Sequence, residues 1–296
     1  MDPDAFIARE EALCISLRST TLNDDRIDAF RSLILDYYAA CGRHLPWRET
    51  TDPYRILVSE VMLQQTQVER VLVKYPAFLE QFPHFQALAE APLGDILRVW
   101  AGMGYNRRAI ALQKSAVQIM LVYGGALPGD PDTLCTLPGI GRATACAILV
   151  YSFNLPLAFI EVNIRRVFIH FFFPGHDKVP DADLLPFVQK TLLNEDPRTW
   201  FNALMDYGSF LKKRSVSSAR RSSHYHTQAP FTGSRRQLRG RVLACLVTRN
   251  IIPYADLPSI VSEEPDRVYG VVEELGREGF ITREGHDVRL TERPEK

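Results

Sequence analysis

"LPGIGRATACAIL", residues 137–149, sets a proline, two glycines and an arginine ahead of a run of small and apolar residues. Pro138 with Gly139 and Gly141 suits a tight turn whose tip is bare backbone. Ala143 to Val150 then reads as a helix. Backbone N–H groups presented at a helix start form an anion site, because their dipoles align toward it. The stretch therefore predicts a hairpin that grips a phosphate, and the rest of the chain must say whose.

The chain has 296 residues, enough for one large domain or two. Apolar residues at 46% and charged residues at 24% fit an ordinary globular protein. Net charge is zero, so the total points to no partner, but the distribution does. Between Asp206 and Asp256 there is no acidic residue, while Lys212, Lys213, Arg214, Arg220, Arg221, Arg235, Arg236, Arg239, Arg241 and Arg249 all fall there. A one-sign run is often only a solvated face. Here Ser215, Ser217, Ser218, Ser222, Ser223, Tyr225 and Phe231 are interleaved with it, a mixture suited to nucleic-acid backbone.

The five cysteines (Cys14, Cys41, Cys135, Cys146 and Cys245) are scattered, with no CxxC and no metal-ligand spacing. Reduced, buried thiols in a cytoplasmic protein are expected, and no metal. No N-terminal signal pattern is present. The longest apolar stretch, Val167 to Pro174, contains His170 and is too short for a bilayer, so no membrane partner is expected.

Along the chain, residues 1–24 read as mixed and peripheral. Asp25 to Ala40 repeats apolar residues at three and four and reads as an amphipathic helix. Pro46, Trp47 and Pro53 break a loop. Ile56 to Tyr75 reads as one helix, followed by shorter helices around 77–81, 85–90, 93–101 and 106–123, separated at Pro76, Pro83, Pro92, Gly102 and Gly104. Further helices are expected over 163–173, 181–194 and 198–211. Beyond the basic stretch, helices over 236–249, 254–261 and 266–278 precede "GFITREGHDVRLT" (279–291), which reads as a hairpin turning at Glu284-Gly285. Three helices and a hairpin is winged-helix order, a module that contacts DNA through its third helix or serves protein contacts.

"LPGIGRATACAIL" resembles the helix-hairpin-helix motif of the HhH-GPD DNA glycosylases. "LPWRETTDPYRILVSEVMLQQTQVERV" (45–71) is similar to the catalytic helix of adenine DNA glycosylases of the MutY type, and "LRVWAGMGYNRRAIAL" (97–112) and "MDYGSFLKKRS" (205–215) resemble their counterparts there. The resemblance covers about residues 25–215. It implies an all-α fold, a six-helix barrel domain beside a second helical domain, with a small C-terminal winged-helix-like α+β domain added. The expected organisation is 1–24 as an N-terminal extension, 25–52 and 155–215 as the helical domain, 53–154 as the barrel with its hairpin, 216–235 as a basic linker, and 236–296 as the winged-helix-like domain. The implied partner is double-stranded DNA, bound by a monomer associated with the nucleoid, with the hairpin amides (Gly139, Gly141, Arg142 and Thr144) on a phosphate and a monovalent cation possible there.

Base excision requires a flipped nucleotide and a broken N-glycosidic bond. An acid kept neutral by apolar surroundings must protonate the leaving base, and a carboxylate must stabilise the cationic sugar and activate water. Glu60 in "SEVMLQQT" matches the family's acid, and Val58, Val61, Met62 and Leu63 around it predict burial. A glutamate on a helix is otherwise usually a surface residue. Gln64 and Gln65, expected on the same helix, match glutamines that enter the duplex; solvated polar positions are the plain alternative. Ser59 and Trp47 are expected to line the base pocket, although Trp47 equally suits a core. Arg48, Arg166, Lys212 and Lys213 are expected at the DNA. Tyr105 matches a tyrosine facing the site.

In "AFIEVNIRRVF" (158–168) the family's aspartate is replaced by Glu161, followed by Asn163 and Arg166. The extra methylene shifts the carboxylate by about an ångström, which near-attack geometry tolerates poorly. Glu161 is expected to fill the role with Asn163 beside it; a helix-start glutamate serving the dipole is the alternative. The position where bifunctional relatives such as endonuclease III carry a Schiff-base lysine is Ala143, so hydrolysis without strand cleavage is expected. No cysteines follow "MDYG", so no iron–sulfur cluster is expected. The reading is a monofunctional glycosylase for mispaired or modified adenine, such as N6-methyladenine. Its alternatives are a glycosylase for uracil or thymine opposite guanine, or a catalytically weakened DNA-binding protein.

Overall fold

The computed structural model describes residues 3–17, 22–214, 221–223 and 231–292. Ser215, Ser217, Ser218, Arg220 and Tyr225 of the basic stretch, and most of the segment 216–235, lie outside them. The chain divides into two compact units. One comprises Met1–Thr51 and Arg142–Thr227, the other Asp52–Gly141 and Gln228–Lys296. The chain thus crosses between units inside the hairpin motif, at Gly141, and the helix that follows it belongs with the first unit.

In the first unit, α1 (Pro3–Leu17) and α2 (Asp24–Cys41) pack with α9 (Arg142–Phe153), α10 (Val162–Phe172), α11 (Asp181–Thr191) and α12 (Pro197–Arg214). Phe30 is the hub: its ring meets Phe168, Phe171, Phe172 and Trp200 edge to face at 5.1–5.8 Å between centroids. Such pairs add to the burial of their apolar area. The N-terminal segment is not peripheral as expected. Phe6, Leu13 and Leu17 of α1 enter this core, and Glu10, 2% exposed, accepts from His170 Nε2 and Arg214 Nη1. Its mixed polar appearance hid an internal carboxylate held by a histidine and an arginine. Burial alone would raise the Glu10 pKa, but these partners outweigh it and hold the carboxyl below its usual range.

In the second unit, α3 (Pro53–Leu63), α4 (Val68–Gln81), α5 (Phe85–Glu90), α6 (Leu93–Trp100), α7 (Arg107–Tyr123) and α8 (Pro131–Leu134) surround Phe78, Leu88, Ile96, Trp100 and Ile119, all fully buried. The expected helix from Ile56 to Tyr75 is two. Gln64 leaves helical geometry and Gln65 takes φ +53°, while Arg108 supplies donors to the carbonyls that end α3. Pro76, expected as a separator, lies inside α4. The cost of about 3 kcal/mol for a helix-interior proline is offset by burial of Tyr75 and Phe78 on either side.

The same unit contains α13 (Arg235–Arg249), α14 (Leu257–Val261), α15 (Pro265–Arg277) and a three-stranded antiparallel sheet of order β1-β3-β2. Strands β2 (Ile281–Glu284) and β3 (Asp287–Leu290) form the expected hairpin, with the turn at Gly285-His286 and Gly285 at φ +60°. Strand β1 (Ile251–Pro253) was not anticipated: three residues are too short to show alternation, and its pairing with β3, Ile251 to Arg289, Ile252 to Val288 and Pro253 to Asp287, defines it. The cysteines depart from expectation too: Cys146 is buried, while Cys41 and Cys135 are exposed. Among the described residues no helix is long and apolar enough to cross a membrane.

Candidate active site

Asp52 caps α3 by accepting from the Tyr54 and Arg55 amides, and Pro53 stands at its first position, where a missing N–H costs nothing. The helix buries Val58, Val61 and Met62 and leaves Glu60 half-buried beside them. Ser59 is buried, but its hydroxyl donates to the Ile56 carbonyl at 2.8 Å, so it is engaged within its own helix rather than presented to a base.

Gln64 and Gln65 are not on the helix. Gln64 is its C-cap, and its Nε2 donates to the Gly139 carbonyl at 3.2 Å. Gln65 is exposed in the left-handed region. The end of α3 is thereby tied to the hairpin. Gly139 takes φ +78°, and a Cβ there would lie 2.9 Å from that of Ala111, so both the turn and the close approach require glycine. Ser115 donates to the Pro138 carbonyl, and Leu137 and Ile140 are buried beneath the turn. Gly139, Gly141, Arg142 and Ala143 are exposed above them. The hairpin thus has an apolar underside and a backbone tip.

Arg108, not among the expected site residues, organises this region. Its guanidinium donates to the carbonyls of Val61, Met62 and Gln64, to Thr66 Oγ1, and to the Met103 and Gly104 carbonyls. It also lies over the rings of Trp100 and Tyr105 at 5.4 and 5.6 Å. Loss of water around it lowers its pKa to about 10. A cation at a helix C-terminus is favourably placed against the dipole. Its place three residues after Tyr105 in "GMGYNRRA" was visible in the sequence, but nothing there showed which carbonyls it would reach. Tyr105 itself is 38% exposed, at φ +48°, and its hydroxyl accepts from Arg236 at 3.1 Å.

In the first unit, Glu161 is the N-cap of α10. Its carboxylate accepts from the Asn163 amide at 2.6 Å and the Ile164 amide at 2.9 Å. Burial pushes its pKa up, against the two amides and the Arg166 and Arg165 charges. The helix-start geometry foreseen as the alternative for Glu161 is therefore realised. Asn163 Oδ1 accepts from Arg166 at 2.7 Å, and the same nitrogen of Arg166 donates to the Gly208 carbonyl at 2.8 Å. Arg166 is 4% exposed, so it positions α10 against α12 rather than meeting DNA.

Arg48 departs from expectation for a like reason. It forms two 2.9 Å bonds to the carboxylate of Asp206, a residue 3% exposed, with Arg43 on the same group. Burial would raise the Asp206 pKa; Arg48 and then Arg43 bring it below its ordinary value. A bidentate pair of this kind is a fixed internal contact. Trp47 is 7% exposed and packs as a buried aromatic. Lys212 and Lys213 are exposed in the last turn of α12. Arg142 is exposed and Thr144 half-buried at the start of α9. The expected residues thus fall into two groups: Ser59, Glu60, Gln64, Gln65, Tyr105, Gly139 and Gly141 in one unit, and the remainder in the other.

Among the described residues no three His, Cys, Asp or Glu side chains gather where they could hold a metal ion.

Residues 58–183 match the family described as HhH-GPD superfamily base excision DNA repair protein. The adenine DNA glycosylase of Buchnera aphidicola subsp. Baizongia pistaciae is 40% identical over 144 residues, 48% of this chain and 41% of that protein. That of Mycolicibacterium smegmatis is 42% identical over 135 residues, 45% and 46% of the two chains. The human adenine DNA glycosylase is 38% identical over 150 residues, covering 28% of its length. The chain spans less than half the length of these relatives. Among solved structures, a thermostable thymine-DNA glycosylase aligns over 67% of this chain and 96% of its own, with a TM-score of 0.57 and 25% identity. An endonuclease III–DNA covalent intermediate aligns over 71% and 92%, with a TM-score of 0.52 and 20% identity, and supports the fold. Residues 58–183, which hold both Glu60 and the hairpin turn, are thus similar to the HhH-GPD superfamily, with relatives among the adenine DNA glycosylases.

Proposed function

We propose that the chain is a monofunctional DNA glycosylase of base excision repair that hydrolyses the N-glycosidic bond of a flipped adenine, mispaired or modified, in duplex DNA. The observation that carries this is the bond from Gln64 to the Gly139 carbonyl, which joins the helix of the acid to the phosphate-gripping turn. The hairpin fixes the strand, and the acid's helix is thereby held in register with it. Glu60, beside Val58, Val61 and Met62, donates a proton to the departing base. Glu161 supplies the carboxylate that stabilises the positive sugar and takes a proton from the attacking water. Ala143 offers no amine, so the sugar is released by water rather than through a Schiff base. Hairpin carbonyls retain lone pairs for a monovalent cation when DNA is bound. Action on chromosomal DNA places the protein with the nucleoid in the cytoplasm, as a monomer.

The test is excision from duplexes containing adenine opposite 8-oxoguanine, adenine opposite guanine, N6-methyladenine, or uracil or thymine opposite guanine, each followed by hot alkali. Release from an adenine-containing member, lost in Glu60→Gln with binding retained, is the expected result. Release of thymine or uracil alone would establish the second reading, which the alignment with a thymine-DNA glycosylase favours. Release from none of them, with duplex binding intact, would leave a DNA-binding protein.

A further inference from the structure

Arginines of the basic stretch are engaged inside the second unit. Arg235 and Arg239 of α13 bond Glu274 of α15, and Arg239 also bonds Glu278 just beyond it. Arg241 bonds Glu263, which holds Arg267 as well. Both Glu278 oxygens also accept from Arg107 at the start of α7, at 2.5 and 2.8 Å. Paired with Arg107 first and Arg239 second, the Glu278 carboxyl is held down at about 2. The Leu93 amide of α6 donates to the Glu292 carbonyl, and Leu290 packs against Gly94. The winged-helix-like part is thereby docked onto α6 and α7.

Helix α7 also carries the hairpin turn. Arg108, Ala111 and Ser115 follow one another at three and four and share one face of the helix. Arg108 holds the carbonyls that end α3, Ala111 lies against Gly139, and Ser115 donates to the Pro138 carbonyl at 3.0 Å. Ser115 is fully buried. A buried hydroxyl is costly without a partner, and in a helix it ordinarily turns back to a carbonyl of its own preceding turn. Ser115 instead reaches out of its helix to the hairpin.

This bond acts on the central peptide of the turn. The Ile140 amide closes on the Leu137 carbonyl at 3.2 Å, with Pro138 second and Gly139 third at φ +78°. That is the arrangement of a type II turn, and type I differs from it chiefly by a half-rotation of the peptide between the second and third residues. In a trans peptide the C=O and N–H point in opposite directions. With the Pro138 carbonyl drawn onto Ser115, the Gly139 N–H faces away from α7, toward the exposed side of the turn. No backbone bond among the described residues uses that N–H or the one of Gly141.

We propose that Ser115 is a positioning residue for duplex binding: by holding the Pro138 carbonyl against α7 it locks the turn in the form that presents the Gly139 N–H to a DNA phosphate. This rests on the duplex-binding part of the glycosylase reading above and adds to it a residue that touches no DNA. The half-rotated turn would aim the carbonyl oxygen at the phosphate and the N–H at the protein, converting an attraction into a repulsion. Proline and glycine allow the productive form, and Ser115 selects it.

The experiment measures affinity of the full chain for a duplex with adenine opposite 8-oxoguanine at several salt concentrations, and single-turnover excision at saturating duplex. Ser115→Ala is expected to weaken binding by about fivefold, the contribution of one hydrogen bond. The salt slope is expected to stay that of the parent, because the contact served is a neutral amide and not a lysine or arginine. Excision at saturation is expected to stay within about twofold of the parent, since the loss falls on binding. Ser115→Cys, close in size and a weak donor, is expected to lie between the two. Ile119→Val, buried one turn further along α7, controls for lost stability and is expected to bind as the parent does. Unaltered affinity in Ser115→Ala overturns the proposal alone. So does a changed salt slope, a saturated rate that falls along with affinity, or an equal loss in Ile119→Val. A parent chain that binds no duplex overturns the glycosylase reading and this proposal with it; one that binds but excises nothing overturns the reading only.

Discussion

Gly208 of α12 and Asn163 of α10 pack so closely that a methyl group built on the glycine would lie 2.6 Å from the Asn163 Cβ and nearer still to its carbonyl oxygen. This contact explains the glycine in "MDYGSF". It brings α12 near enough for the Gly208 carbonyl to accept from Arg166, which in turn holds Asn163 beside Glu161. Gly208→Ala is expected to destabilise the protein by about 1–3 kcal/mol, the usual cost of overpacking. Denaturant unfolding measures this. The excision rate is expected to fall more than in a control of equal stability, because the α10 start is displaced.

Arg108→Met is expected to leave the carbonyls at the end of α3 without their donor. The stability loss should be about 1–3 kcal/mol, the penalty for unsatisfied polar groups. Retention of stability in Arg108→Met would show that the six donated bonds are dispensable. Arg108→Lys keeps the charge but not the fork of donors, and is expected to fall between the two.

The Glu161 pKa is raised in the folded protein, so the carboxyl binds its proton more tightly there than in the unfolded chain. The stability it contributes is present below the ordinary carboxylate pKa and is lost as pH rises through the folded value. Glu161→Gln is therefore expected to gain stability relative to the parent as pH rises across that window and to hold the gain above it. Excision by the same variant should drop by about a hundredfold or more. In the parent it should decline on the acid side at a pH above the ordinary carboxylate range. Unfolding curves and single-turnover rates across pH check both.

Glu278 is the opposite case. Its pKa is depressed to about 2, so its contribution is present above the ordinary carboxylate value and lost as pH falls toward about 2. Glu278→Gln should flatten that acid limb and make the docking of the C-terminal part less sensitive to salt. Hydrogen exchange at α6 and α15, followed against pH and salt, is the measurement.

The hairpin, the helices and the winged-helix order were legible because each rests on local signals: glycine at positive φ, apolar spacing, caps. Glu60 and Glu161 were legible as motif positions, and the helix-start role of Glu161 was visible as an alternative. What the sequence concealed was long-range pairing. Arg48 and Arg166 looked like exposed cations, yet their partners, Asp206 and the Gly208 carbonyl, lie 158 and 42 residues away. The arginines of α13 looked like a nucleic-acid face because the acids that meet them begin only at Glu263. Charge runs along a chain do not reveal which charges the fold will bring together. The split of Ile56–Tyr75 was hidden for the same reason, since Arg108 ends α3 from 44 residues beyond Gln64.

Each compact unit is stitched from two separated stretches of polypeptide, with crossings after Thr51, Gly141 and Thr227. During synthesis neither can close early: the first awaits the residues that complete α12, and the second awaits α13 and the sheet. Nascent chains of intermediate length therefore expose apolar faces whose mates have yet to leave the ribosome, which lengthens the interval of vulnerability to aggregation. Cutting the gene after Thr227 would recreate that half-finished condition permanently, leaving α6 and α7 bare.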